Sequence, residues 1–171
     1  MKKKVFAICG SIREKSSNRG ILLALQDIFG EELDFEVYKD ISKFPHFSPD
    51  IAMPAVLVEF KKRLETADLF LISTPEYAHG IPGVLKNALD WLVSDENFPG
   101  KNVGVIFAST GDGEHIKRSL VEVLKTMSAD INENKTLNIQ GVRSKIDKDG
   151  YILHHESREK LKSFVNKLLD K

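Results

Sequence analysis

Val5-Phe6-Ala7-Ile8-Cys9-Gly10-Ser11-Ile12-Arg13-Glu14-Lys15-Ser16-Ser17-Asn18 passes from a short apolar run through a glycine into a polar, charged turn and then a helical pattern. Val5 to Cys9 is apolar on both parities, the composition of a strand covered by helices on both faces. Leu69 to Ser73 and Val103 to Ala108 read the same way. Phe35 to Tyr38, with Phe35 and Val37 set against Glu36 and Lys39, reads as an edge strand. Helical stretches fall between and after these runs, at Asn18 to Phe29, Pro54 to Thr66, Ile81 to Val93, Gly113 to Met127 and Ser157 to Leu169. Strands that alternate with helices, rather than with each other, predict a parallel sheet in a doubly wound α/β domain.

The punctuation agrees. Gly30 is placed to end the first helix, and Pro54 and Pro82 stand where a first helical turn accepts proline. In the last helix Leu161, Phe164, Val165, Leu168 and Leu169 form one apolar stripe against a lysine-rich face. A fifth strand is expected within Ile131 to Ile139. Beyond it, Asp149-Gly150 between Lys145-Ile146 and Tyr151-Ile152 signals a tight hairpin. Asp147 and Asp149 lack the further ligands and the downstream glutamate of a calcium loop.

Composition narrows the function. The 171 residues, 42% of them apolar, suffice for one domain, taken as residues 1–171, with its own core. Twenty-five Lys and Arg balance 25 Asp and Glu, which leaves no net field to hold nucleic acid or an anionic membrane surface. A lone cysteine, Cys9, closes no internal disulfide, so a reducing cytoplasm is the expected compartment. Met1-Lys2-Lys3-Lys4 mimics the basic head of an export signal. The apolar run after it is shorter than the roughly 7 to 15 residues such a signal needs, and Arg13, Glu14 and Lys15 soon follow. No stretch approaches the roughly 18 apolar residues of a membrane span.

Three loops follow central strands and, in a doubly wound sheet, meet at one edge near the point where strand order reverses. The first, Gly10 to Asn18, leads into a helix start whose N–H groups and positive dipole end favour a phosphate. Ser11, Ser16 and Asn18 offer neutral donors there and Arg13 a charged fork. The alternative is that Ser16 or Ser17 merely caps the helix and Arg13 is solvated. Neither the triphosphate cradle Gly-x-x-x-x-Gly-Lys nor the dinucleotide pattern Gly-x-Gly-x-x-Gly is present, so a single terminal monophosphate fits best.

The second loop, Ser73 to Gly83, holds Tyr77 as either an aromatic cover for a flat ring or a packing residue. The backbone of Glu76 and Tyr77 is available to polar ring atoms, and His79 reads as solvated or as a helix-entry contact. The third loop, Ala108 to Glu114, is built of small residues that let backbone approach a ligand closely. A helix start aimed there at the N1/O2 edge of a flavin would stabilise the reduced, anionic ring, provided Asp112 and Glu114 turn outward.

The segments Gly10-Ser11-x-Arg13-x-x-Ser16-x-Asn18 and Pro75-Glu76-Tyr77, the latter followed by Ile81-Pro82-Gly83-Val84-Leu85-Lys86-Asn87-Ala88-Leu89-Asp90-Trp91, resemble the NADPH-dependent FMN reductase family. That family is a branch of flavodoxin-like proteins that includes quinone, azo-dye and chromate reductases. The order of strands and helices extends the resemblance over nearly the whole chain. It implies a flavodoxin-like three-layer sandwich with a five-stranded parallel sheet in the order 2-1-3-4-5. It also implies that Ser11, Arg13, Ser16 and Asn18 hold the FMN phosphate, that Pro75, Glu76 and Tyr77 line the isoalloxazine, and that Ser109, Thr110 and Gly111 lie at its pyrimidine end. Family members often carry asparagine where this chain has Ala78. They form dimers, sometimes tetramers, through helices that include the one after the second loop. Here Ile81, Val84, Leu85, Ala88, Leu89, Trp91 and Leu92 spread over more than one face, as in a helix that packs on a partner or one buried deeply in its own domain.

The resemblance implies an NAD(P)H oxidoreductase in which hydride passes to bound FMN and on to a quinone-like or other electrophilic acceptor. The flavin performs the chemistry, so no protein residue is expected to act as acid, nucleophile or metal ligand. The five histidines show no metal spacing, and Cys9 reads as a small buried hydrophobe. Arg13, Lys15 and Arg118 are each candidates to meet a 2′-phosphate, so NADPH and NADH both remain open. A flavodoxin-type electron carrier is the rival, although such carriers are usually strongly acidic. A flavin-binding sensor without turnover is a third reading.

Overall fold

The computed structural model describes residues 1–109, 111–142 and 155–170. Five strands, β1 (Lys3–Cys9), β2 (Leu33–Tyr38), β3 (Leu69–Thr74), β4 (Val103–Ser109) and β5 (Thr136–Gln140), alternate with α1 (Ser17–Phe29), α2 (Ala55–Thr66), α3 (Gly83–Asp90), α4 (Glu114–Thr126) and α5 (His155–Leu168). The strands form one parallel sheet in the order β2-β1-β3-β4-β5. This is the doubly wound, flavodoxin-like arrangement, with strand order reversing between β1 and β3.

Strand parity sorts the apolar residues into two layers. Phe6, Ile8, Phe70 and Ile72 point to the face covered by α2, α3 and α4, where they meet Phe60, Leu85, Leu89, Ile116 and Leu120. Val5, Ala7, Leu69 and Leu71 point the other way, onto Leu22 and Leu25 of α1 and Leu161 and Val165 of α5. All residues of β3 and β4 are buried, while β2 alternates and β5 is largely exposed, as edge strands do.

One element is shorter than its sequence expectation. The helix expected over Ile81 to Val93 is regular only from Gly83 to Asp90, because Pro82 occupies its N-cap in an extended conformation. Its residues Leu85, Ala88, Leu89, Trp91 and Leu92 are buried in the chain's own core, which favours the deeply packed alternative for most of this stretch, while Val93 stays exposed. The fifth strand, expected within Ile131 to Ile139, occupies the later part of that window, Thr136–Gln140. The Asn132 side chain accepts from the Asn134 N–H at 2.9 Å and folds residues 133–135 into a short 3₁₀ turn. The hairpin about Asp149-Gly150, with the Asp147 and Asp149 reading, lies outside the described residues.

Gly10 is required by a close approach. A Cβ there would sit 2.4 Å from Thr74 Oγ1 and 2.8 Å from Thr74 Cβ. Threonine is stiff at χ1 and cannot swing away. Glycine therefore lets the exits of β1 and β3 meet, sealed by the Gly10 N–H donating to the Ser73 carbonyl at 2.8 Å.

Candidate functional site

Parallel register puts the ends of β1, β3 and β4 side by side, with Cys9 opposite Ser73 and Ser73 opposite Ile106. The three loops consequently leave one edge together. Asn18, on α1, ties two of these strands: its Nδ2 donates to the Ala108 carbonyl of β4 at 3.0 Å and its Oδ1 accepts from the Ser73 hydroxyl of β3 at 2.9 Å. Asn18 is 3% exposed and Ser73 fully buried, so neither bond is exchanged with water. These two bonds use one Nδ2–H and one lone pair of Oδ1, so Asn18 joins the loops and keeps a second Nδ2–H as a donor.

The first turn of α1 is left open. Ser16 at its N-cap makes no side-chain cap, and no acidic residue lies in the turn. The capping alternative for Ser16 is not what the chain does; its Oγ lies 3.7 Å from Cys9 Sγ. The first helical bond runs from the Gly20 N–H to the Ser16 carbonyl, so the N–H groups of residues 17 to 19 have no intrahelical acceptor. Ser11 is buried at the mouth of this turn, and Arg13 is exposed with no carboxylate partner among the described residues. Cys9 is 5% exposed, and burial pushes its thiol up, which suits an inert packing residue.

The second loop joins the first through the hydroxyls of Ser11 and Tyr77, 3.1 Å apart. Tyr77 is 45% exposed, so its ring stands at the edge rather than in the core. Its N–H donates to the Gly80 carbonyl at 3.2 Å and its carbonyl accepts from the Gly80 N–H at 2.9 Å, closing a tight turn. The backbone polar groups expected to meet a ring are thereby reduced to the Glu76 peptide. Ala78 and His79 occupy that turn with φ of 48° and 58°. Asparagine tolerates this left-handed region better than alanine does, so Ala78 is held in a strained conformation.

The start of α4 is closed by the protein. Glu76 Oε1 accepts from the Ile116 N–H at 3.2 Å, and Asp112 Oδ1 accepts from the Glu114 N–H at 3.2 Å. Asp112 and Glu114 are exposed, as expected, but the capping by Glu76 and Asp112 was not legible in the sequence. The nearest signal was Glu76 itself, a carboxylate between a proline and an aromatic in a loop read for its backbone. His79 is a helix-entry contact, its ring 4.8 Å from that of His115 and inclined at 60°.

Ser109 is buried and donates to the Gly111 carbonyl at 2.9 Å. A Cβ at Gly111 would meet nothing within 4 Å. The protein does not itself demand glycine there, and the bare backbone can be approached closely from outside. Thr110 lies outside the described residues. An open helix start, an exposed aromatic beside it and an unobstructed glycine loop on the same edge are the parts a flavin mononucleotide needs: a seat for a dianion and a surface for a flat ring.

Sequence reasoning missed one further group. Asn87 and Trp91, one turn apart on α3, both donate to the Pro45 carbonyl, at 3.0 and 2.8 Å, and Asn87 Oδ1 accepts from the Phe47 N–H at 2.8 Å. This clamp holds the segment after β2 and presents Phe47 edge-on against Trp91. Two donors spaced i, i+4 at Asn87 and Trp91 were the available signal.

The sequence profile of the NADPH-dependent FMN reductase family matches residues 3–141. An NAD(P)H:quinone oxidoreductase of Solanum tuberosum is 32% identical over 174 aligned positions, covering 95% of this chain and 89% of that protein. A 2-hydroxy-1,4-benzoquinone reductase of Burkholderia sp is 33% identical, covering 98% and 94%. Among solved structures, the flavoenzyme NAD(P)H:(acceptor) oxidoreductase FerB of Paracoccus denitrificans superposes with a TM-score of 0.85 at 27% identity, covering 98% of this chain and 96% of that one.

Proposed function

The chain belongs to the NADPH-dependent FMN reductase family, and from this we propose that it passes hydride from NAD(P)H through one FMN, seated on its three loops, to a quinone. It is an oxidoreductase, and its cofactor is FMN. When bound, FMN supplies the hydride relay, taking hydride from the donor and giving two electrons and a proton to the acceptor.

The observation that carries the reading is the open first turn of α1 beside the unpaired Arg13 and the linked Ser11 and Tyr77. Ser11, Ser16, the Arg13 guanidinium and the N–H groups of residues 17 to 19 hold the phosphate. Asn18 joins them in holding the phosphate, and the two bonds of its side chain fix the loops from below. Pro75, Glu76 and Tyr77 line the isoalloxazine, with the Glu76 peptide meeting its polar edge. Ser109, Thr110 and Gly111 meet the pyrimidine end. No side chain of the chain donates or takes a proton in this scheme; the protein orients two flat reactants and leaves one face of the site open.

Residues 1–171 act as one domain in the cytoplasm, supported by the single pair of core layers and by a buried cysteine without a disulfide. No helix among the described residues is long and apolar enough to cross a membrane. Exposed Phe47, Ile51 and Met53 in the clamped segment and Val93 beyond α3 support a homodimer, or a dimer of dimers. The neutral charge balance disfavours nucleic acid as a partner.

An anaerobic absorbance spectrum of the FMN-loaded protein tests the reading. NADPH or NADH should bleach the flavin bands, and a benzoquinone should restore them. Flavin that stays oxidised with both donors would replace the enzyme by an electron carrier or a sensor.

A further inference from the structure

On the β2 side of β1, the flank opposite the 75–80 loop, a cleft of about 260 Å³ opens between the first loop and the segment leaving β2. Ser11, Arg13 and Arg19 line one wall and Tyr38, Lys39 and Ser42 the other. Cys9 forms the floor. Arg19 reaches the cleft from α1. Arg13, Arg19 and Lys39 have no carboxylate partner among the described residues, and the neighbouring Asp40 is taken by Lys43 at 3.0 Å. Glu14 is the acidic residue of the rim. With Arg13 committed to the flavin phosphate, Arg19 and Lys39 against Glu14 still leave the cleft positive, with hydroxyls to complete the coordination of an anion.

We propose that this cleft is a second phosphate subsite, distinct from the flavin phosphate seat, and that it takes the 2′-phosphate of NADPH. The inference rests on the oxidoreductase reading. NADPH and NADH differ only by that phosphomonoester, which is mostly a dianion above its second pKa of about 6. The cleft shares Ser11 and Arg13 with the flavin loop, so a donor lying on the flavin need only follow this loop to bring its extra phosphate to Arg19 and Lys39. Those two residues belong to the cleft alone.

The test combines isothermal titration of the FMN-loaded full chain with steady-state kinetics against a benzoquinone. 2′-AMP should bind about tenfold more tightly than 5′-AMP. Arg19→Gln and Lys39→Gln should each lose about tenfold in 2′-AMP affinity and raise KM for NADPH by the same factor, the range of one charge-assisted hydrogen bond. KM for NADH and kcat should stay within about twofold in both variants, and FMN retention should stay so in Lys39→Gln. Equal shifts for both donors, or unaltered 2′-AMP binding in both variants, would overturn the subsite. Variants that weaken inorganic phosphate but leave KM for NADPH unchanged would reassign the cleft to free phosphate and overturn the donor assignment. Protein that holds FMN but oxidises neither donor defeats the oxidoreductase reading instead, and the 2′-AMP titration then decides the cleft by itself.

Discussion

The helices α1 and α4 both begin on the carboxyl edge of the sheet, after loops rich in glycine and serine. The first turn of α1 contains no acidic residue and receives no side-chain cap, whereas α4 begins with Glu114 and has its N–H groups at 114 and 116 held by Asp112 and Glu76. Two starts that look alike as loops are electrostatically opposite: one offers unpaired donors beside Arg13, the other has been neutralised by the protein's own carboxylates. An anion belongs at α1, and the approach to α4 is left to uncharged contacts with the backbone near Gly111. A helix dipole that serves a ligand must be left unsatisfied in its absence, which costs stability that an ordinary cap would have supplied.

The largest effect should come from removing the strut beneath the open start. Asn18→Ala leaves the buried Ser73 hydroxyl and Ala108 carbonyl without their partner and should cost about 2 to 3 kcal/mol in urea unfolding of the apo protein. A loss below half of that would mean the loops are held together elsewhere. Arg13→Ala should weaken FMN by about ten- to a hundredfold in fluorescence titration while leaving riboflavin affinity unchanged, because only the phosphate meets the guanidinium. Equal weakening of both flavins would break the assignment of the anion to α1.

Glu76→Ala removes a cap from α4 and should lower stability by about 1 kcal/mol, with the ratio of FMN to riboflavin affinity unmoved. A change in that ratio would show that the two helix starts share one anion after all. The smallest effect is a gain. Ala78→Gly relieves a residue held at φ of 48° and should stabilise the apo protein by about 0.5 to 1 kcal/mol, read as a rise in melting temperature.

Much of this was written locally. The five helices were found within a few residues of their ends, because amphipathic periods and the proline and glycine stops act over one or two turns. The central strands were distinguishable from the β2 edge by parity alone, since burial on two faces removes every polar position. The convergence of the three loops followed from alternation of strand and helix, which admits few topologies. The start of the fifth strand within its window was not legible, because the Asn132 side chain competes for backbone, a choice between two local hydrogen bonds that periodicity does not register.

By itself, then, the sequence determined the doubly wound fold, the edge on which the loops gather and the polar residues offered there. Tertiary structure decided what each of those residues does. Asn18, read as a phosphate donor, is also tied to Ser73 of β3 and Ala108 of β4; Glu76, read for its backbone, reaches α4 forty residues away. Gly10 is glycine because of Thr74, and Arg19 and Lys39 share a cleft because β2 pairs beside β1. The physical reason is the same in each case. Propensity and periodicity are properties of neighbours in the chain, whereas a hydrogen-bonding group is spent on whichever partner the packed sheet brings within about 3 Å.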